Sequence, residues 1–226
     1  MQGRRTNDNR GIHVVYVSMK TQKIKNSRNY GHIEYNGNMN KIHDKIRKCT
    51  VSDSEIIQEM ESAKREDPKF DINWTDKYGG WSLLLCAAIC YREELVRYFL
   101  TYSDINVNYK DDGGYTSLHF AHGPILKLLL DHRDIDVNIQ NDGGWTGLHR
   151  VCYWGRKACV REYLIDARVD ILIRSKWEKI ARDYAIKQGY IGIANMLKKV
   201  LCTSLLRIPN DALCRDVVRM IIEEYT

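Results

Sequence analysis

A short phrase built on paired glycines occurs three times in this chain and limits its fold more than any other feature. The copies are Gly79-Gly80-Trp81-Ser82-Leu83-Leu84-Leu85, Gly113-Gly114-Tyr115-Thr116-Ser117-Leu118-His119 and Gly143-Gly144-Trp145-Thr146-Gly147-Leu148-His149. Their second glycines lie 34 and 30 residues apart. Recurrence at such a period marks a stacked repeat architecture rather than one central core. A second phrase alternates with the first: Asp71-Ile72-Asn73, Ile105-Asn106-Val107-Asn108, Ile135-Asp136-Val137-Asn138 and Val169-Asp170-Ile171-Leu172.

This order resembles the ankyrin repeat: a glycine turn, a Thr-Pro-Leu-His helix start, two short antiparallel helices and a loop carrying Val-Asn. In the first full copy Ser82, Leu84 and Leu85 stand for Thr, Leu and His, and Ala87-Ala88 for the paired alanines. Thr116, Leu118, His119 and Ala121 match in the second copy, and Thr146, Leu148, His149 and Gly155 in the third. A degenerate fourth copy runs from Ile180 to Leu197. The likeness covers about residues 71–200. It implies an all-α ankyrin-repeat solenoid of stacked antiparallel helix pairs. The family's proline is replaced by Leu83, Ser117, Gly147 and Ala181; because proline presets the first helical turn, looser helix starts are expected.

The implied organisation is a basic arm over residues 1–40, a capping repeat over about 41–75, repeats over about 76–110, 111–140, 141–174 and 175–200, and a C-terminal segment over 201–226. The second copy is short. Leu84 to Leu100 and Leu148 to Leu164 each span 16 positions, Leu118 to Leu130 only 12. Four residues is close to one α-turn, so the deletion keeps the apolar stripe in phase and predicts a stunted helix pair, with a local change of curvature.

The chain is 44% hydrophobic and 28% charged, ordinary for a soluble protein. No apolar run is long enough to span a membrane, and the first residues lack a secretory apolar core. Seven cysteines, with no Cys-x-x-Cys pair, read as free thiols of a reducing compartment. The expected location is cytoplasmic, with the nucleus as the alternative. Residues 1–50 hold 11 Lys and Arg against three acids, or +8 for a chain of +6. A basic arm of this kind is either a solvated tail or a contact for phosphates, so nucleic acid stands as an alternative partner. His13 to Val17 has the alternation of a short strand, and Asn36-Gly37 the composition of a hairpin turn.

No pattern demands a catalytic residue, a cofactor or a metal. Cys152 follows His149 by three positions, but a Cys-His pair needs an orienting group and an oxyanion donor. Asp111-Asp112 and Asn141-Asp142 fit turn chemistry better than a 12-residue calcium loop. Gly-Gly never precedes Lys-Ser or Lys-Thr, so no phosphate loop is present.

In ankyrin repeats the residue before the Thr and those ending the first helix face the concave groove and vary. Here those positions carry Trp81, Tyr115, Trp145, Ile89, Cys90, Tyr153 and Trp154, with Tyr78, Trp74 and Tyr109 on the loop side. Large aromatics are enriched at interface hot spots. The two readings are a partner-binding ridge, giving a non-enzymatic protein-interaction scaffold, and packing between repeats. At the C-terminus, Ile208-Pro209 followed by Leu213, Val217 and Ile221 at helical spacing is similar to the opening of an F-box. Leu213-Cys214-Arg215 resembles the first helix of a SOCS box. Either likeness implies a substrate adaptor of a cullin-type ubiquitin ligase; the alternative is a capping helix laid over Ala194 and Met196. If the ridge binds a partner, changing Trp81, Tyr115 and Trp145 together to Ser abolishes capture of that partner while circular dichroism shows helical content nearly intact.

Overall fold

The computed structural model describes residues 37–49, 51–67, 70–77 and 79–206. Residues 1–36 of the basic arm, Tyr78 and the segment carrying Ile208, Pro209, Leu213, Val217 and Ile221 lie outside the described residues, whereas residues 37–40 open the first helix. The described chain forms two compact units. The first holds α1 (Gly37–Lys48), α2 (Asp53–Glu66), α3 (Leu83–Ile89), α4 (Glu93–Phe99), α5 (Ser117–Phe120) and α6 (Gly123–Leu130). The second holds α7 (Gly147–Tyr153), α8 (Lys157–Ile165), α9 (Ala181–Lys187) and α10 (Ile191–Leu206). Among the described residues there is no strand, only an isolated antiparallel bridge between Thr75 and Ser82. The architecture is the all-α helix-pair repeat that the sequence predicts.

Each helix pair buries itself against the next. In the first unit α3 packs on α1 and α5, and α4 on α2 and α6; in the second, α9 packs on α7 and α10 on α8. An inner helix with neighbours on both sides must be apolar nearly all round. Accordingly Leu83, Leu84, Leu85, Cys86, Ala87 and Ala88 of α3 are all buried. The end pair needs only one apolar stripe. In α1 it is Met39, Ile42 and Ile46; in α2 it is Ile56, Met60 and Ala63. Because Met39 belongs to that stripe, α1 opens at Gly37, so Gly37, expected in a hairpin turn, starts a helix; Asn36 lies outside the described residues. Ser52 caps α2 through a reciprocal box, its Oγ accepting from Glu55 N–H and its own N–H donating to Glu55 Oε2, both at 3.3 Å.

The helix starts that lack proline are held by side-chain caps instead. Ser82 Oγ accepts from Leu85 N–H at 3.1 Å, and the Ile180 N–H donates to Asp183 Oδ2 at 3.1 Å. The residues in the proline position are buried: Leu83, Ser117, Gly147 and Ala181.

Successive repeats are joined by side chains that bond to backbone. Asn73 Nδ2 donates to Asp104 O at 2.8 Å while its Oδ1 accepts from Asn106 N–H at 2.7 Å. Asn108 Nδ2 donates to Asp134 O at 2.7 Å. In the second unit Asn138 Nδ2 donates to Arg168 O and Oδ1 accepts from Asp170 N–H, both at 2.8 Å. The turns are linked as well: Asp112 N–H donates to Gly79 O, and Lys176 N–H to Gly143 O, both at 3.0 Å. Each such bond contributes about 0.5–1.5 kcal/mol net.

The short second copy loses its residues from the inner helix. α5 has four residues against seven in α3 and in α7, whereas the outer helix α6 keeps eight. Tyr91 occupies the space this opens: its ring stacks on His122 with centroids 4.5 Å apart, and its hydroxyl lies 2.7 Å from where a Cβ on Gly123 would stand.

The glycine turns separate two causes of stability. Gly144 and Gly189 both have left-handed backbone, with φ of +75° and +78°. A Cβ on Gly144 would stand 2.7 Å from the Lys176 nitrogen and 3.0 Å from Ser175 backbone carbons; on Gly189 it meets nothing within 4 Å. Gly189→Ala is expected to cost about 1–2 kcal/mol from conformation alone, and Gly144→Ala more, because the neighbouring turn must move. Urea unfolding checks this; equal losses would show that the turn yields freely.

Candidate functional site: aromatic rings on the turns and first helices

The aromatic positions are set by one side chain each. Asp111 Oδ1 accepts from the N–H groups of Gly113 (2.8 Å) and Tyr115 (3.0 Å). Asn141 Oδ1 accepts from Gly143 and Trp145, both at 2.9 Å. Asp76 Oδ1 accepts from Gly79 and Trp81, both at 3.0 Å. These oxygens close turns; they are occupied by backbone donors, as turn chemistry requires and a cation site does not.

The turns do not present their rings alike. Trp81 is only 4% exposed, so its assignment to an open ridge is corrected. Five positions separate Asp76 from Trp81, against four in the other two turns, and the Thr75–Ser82 bridge closes the loop. The ring is thereby drawn into the core, where its large apolar surface leaves water. Changing it to Ser is therefore expected to cost stability as well as any binding. Tyr115 is half-buried, against Phe120 and edge-on to His119 at 5.5 and 5.6 Å. Tyr109 and Ile89 are half-buried too.

In the second unit the rings gather. Trp145 is half-buried, 4.5 Å from Tyr184 and 5.3 Å from Tyr153. Tyr153 in turn meets Trp154 at right angles, 5.1 Å apart. Trp154 is 43% exposed. The ring of Tyr190, 39% exposed, lies over Gly155, beside Trp154, close enough that a Cβ there would stand 2.5 Å from it. Trp177, 64% exposed, lies over Gly143, 3.5 Å from a Cβ placed there. The structure therefore brings Trp145, Tyr153 and Trp154 into one patch. Tyr184, which meets both Trp145 and Tyr153, joins that patch; Tyr190 and Trp177 are further exposed rings of the same unit.

The histidines and nearby cysteine serve the fold. Thr146 donates to His149 Nδ1 from its N–H at 3.2 Å and its hydroxyl at 2.9 Å. Those donors assign the proton to Nε2, which reaches Lys179 O of the next repeat at 3.2 Å. Thr116 and His119 repeat the first half of this arrangement. Burial holds His149 below its ordinary pKa and pushes the Cys152 thiol up. With both nitrogens of the ring engaged and the thiol buried, this pair offers neither base nor nucleophile.

Short helix pairs, turns closed by their own side chains and rings left at the surface define a helix-pair repeat scaffold. The family model for ankyrin repeats, in three copies, matches residues 51–141 and 122–203, more than half of the chain, and the protein belongs to the ankyrin-repeat family. Such repeats serve in general as protein–protein interaction modules. No curated protein matches the chain. No helix among the described residues is long and apolar enough to cross a membrane.

His149 gives the fold a pH dependence of known sign. A lowered folded pKa means the unfolded state binds the proton more tightly, so stability is full above the unfolded value of about 6.5 and is lost as pH falls toward the folded one. His43, buried and lowered by desolvation, acts in the same direction. The unfolding free energy is expected to drop between neutral pH and about pH 5, and less steeply in His149→Gln. An unchanged slope in that variant would separate His149 from the effect.

Proposed function

We propose that this chain is a non-enzymatic scaffold that binds a protein partner through its aromatic face, with the patch of Trp145, Tyr153 and Trp154 as the centre of contact in the second unit. The observation that supports this is the graded exposure of three touching rings: a half-buried Trp145, a half-buried Tyr153 and an exposed Trp154. A ring whose base is wedged against other rings has already lost its freedom. A partner that covers its open face gains area at little further entropic cost. Trp177 and Tyr190 extend the open surface of the same unit. The ligase-adaptor reading rests on residues outside those described, and the nucleic-acid reading on residues 1–50, of which 37–49 are described.

The test is affinity capture with the full chain, compared with Trp154→Ala and Trp177→Ala. Both rings are exposed, so thermal melts should stay unchanged while retention of the captured partner falls at least tenfold. Ile165→Ser, exposed on α8 at the end of the outer helix, is expected to change neither. Undiminished capture by both tryptophan variants would sink the reading.

A further inference from the structure

Three cysteines meet where the first two helix pairs of the first unit join. Cys49 follows the last residue of α1, Cys86 lies within α3, and Cys90 ends that helix. Each thiol donates to a carbonyl in the last turns of α1. Cys86 reaches His43 O at 4.0 Å, Cys90 reaches Arg47 O at 3.8 Å and Cys49 reaches Ile46 O at 3.5 Å. Cys49 and Cys90 thus lie against consecutive carbonyls of α1, those of Ile46 and Arg47. The three form a path from the core outward: Cys86 is buried, Cys90 half-buried and Cys49 exposed.

The loop that carries Cys49 is pinned in place. Arg92, whose side chain is only 11% exposed, pairs through Nε with Asp53 and donates from Nη2 to Val51 O at 2.6 Å. It stands two residues beyond Cys90 and so fastens the α1–α2 loop to the end of α3. Cys49 itself is held in left-handed backbone, with φ of +52°.

The thiols are not equivalent. Burial pushes Cys86 up, and burial together with the neighbouring Cys90 pushes Cys49 up. The adjoining thiols of Cys86 and Cys49, whose S–H groups can turn from their carbonyls toward a Cys90 thiolate, and the charges of Arg92 and Arg47 bring Cys90 down against the opposing effect of burial. The carbonyl ends of α1 and α3 work against a thiolate; two S–H donors and two guanidinium groups work for it. The arrangement is thus one nucleophilic sulfur with an accessible second sulfur beside it. It is not a metal-binding group: no set of three suitable ligands gathers among the described residues.

We propose that Cys90 and Cys49 form a peroxide-responsive dithiol, whose oxidation locks the end of α1 to the end of α3. The Cys90 thiolate attacks one oxygen of a hydroperoxide and the O–O bond breaks. Cys90 becomes a sulfenic acid, and with hydrogen peroxide the leaving hydroxide takes up a proton to become water. The Cys49 sulfur then attacks the Cys90 sulfur, and the S–O bond breaks. A second water leaves, made from the sulfenic hydroxyl and the Cys49 proton. Two thiols and one peroxide give one disulfide and two waters. The two electrons come from the sulfurs, and the peroxide is reduced. The product ties the terminal helix pair covalently to the first full repeat.

The test uses the reduced full chain exposed to dilute hydrogen peroxide, then blocked with N-ethylmaleimide and digested without reduction for mass spectrometry. The expected product is a Cys49–Cys90 linked peptide within a monomer, formed at least tenfold faster than any oxidation of the half-buried Cys202. In Cys49→Ser, which removes the resolving sulfur at an exposed position, dimedone is expected to label Cys90. Three results would overturn the proposal: Cys49 and Cys90 recovered fully blocked by maleimide, a Cys86–Cys90 link in place of the expected one, or a disulfide that appears only between chains.

Discussion

Helices of seven residues do not survive alone in water, since a helix of fewer than about 12–15 residues scarcely repays its own nucleation. α3, α4, α7 and α9 are all of that length. Their existence depends on being covered by neighbouring helices, and that dependence governs everything else in the molecule. It explains why α3 carries six consecutive buried residues with no polar face. It also explains why so many polar side chains are directed at backbone groups. Asp76, Asp111 and Asn141 hold the turns in shape, and Asn73, Asn108 and Asn138 hold each loop to the next. Stacking supplies the apolar energy; the side-chain clamps fix the register in which it is realised.

The same economy shapes the surface. Outer helices and loops spend their polar groups on local caps and neighbouring carbonyls, and the first helices spend their apolar ones on the core. What remains free to vary is the ring position at the end of each turn and the residues closing each first helix. Whether a ring there is available to a partner depends on the turn beneath it. One extra residue between Asp76 and Trp81 submerges Trp81, while the four-residue spacing before Trp145 leaves that ring half in water among Tyr153 and Tyr184.

The repeat, its helix pairs and the shortened second copy were legible in the sequence because each is a matter of spacing. The glycine phrase gave the turns, and the 12-residue interval gave the four-residue α5. The exposure of single rings was not legible, because it depends on one backbone insertion and on rings from the following repeat. Tyr184 and Tyr190 sit in a copy whose Thr and Leu are replaced by Ile180 and Arg182, so the register that marked Tyr115 and Trp145 gave no mark there. Trp177 stands two positions after Ser175, where the preceding copies carry Gly113 and Gly143. That alignment was available and would have placed its ring over the neighbouring turn. The start of α1 was missed for a different reason: Asn36-Gly37 has turn composition, yet Met39 extends the apolar stripe backward and the helix with it.

Each asparagine clamp joins a side chain of one repeat to main-chain groups of the next: the Asp104, Asp134 and Arg168 carbonyls, and the Asn106 and Asp170 amides. Main-chain groups are the same whatever residue bears them. The joint is therefore blind to the neighbour's identity: Asp and Arg serve equally as the accepting position. A whole repeat could be copied or lost, and the asparagine left at the boundary would find an equivalent carbonyl waiting. The chain is locked residue by residue within a repeat, yet built at its seams like a track whose sections share one coupling.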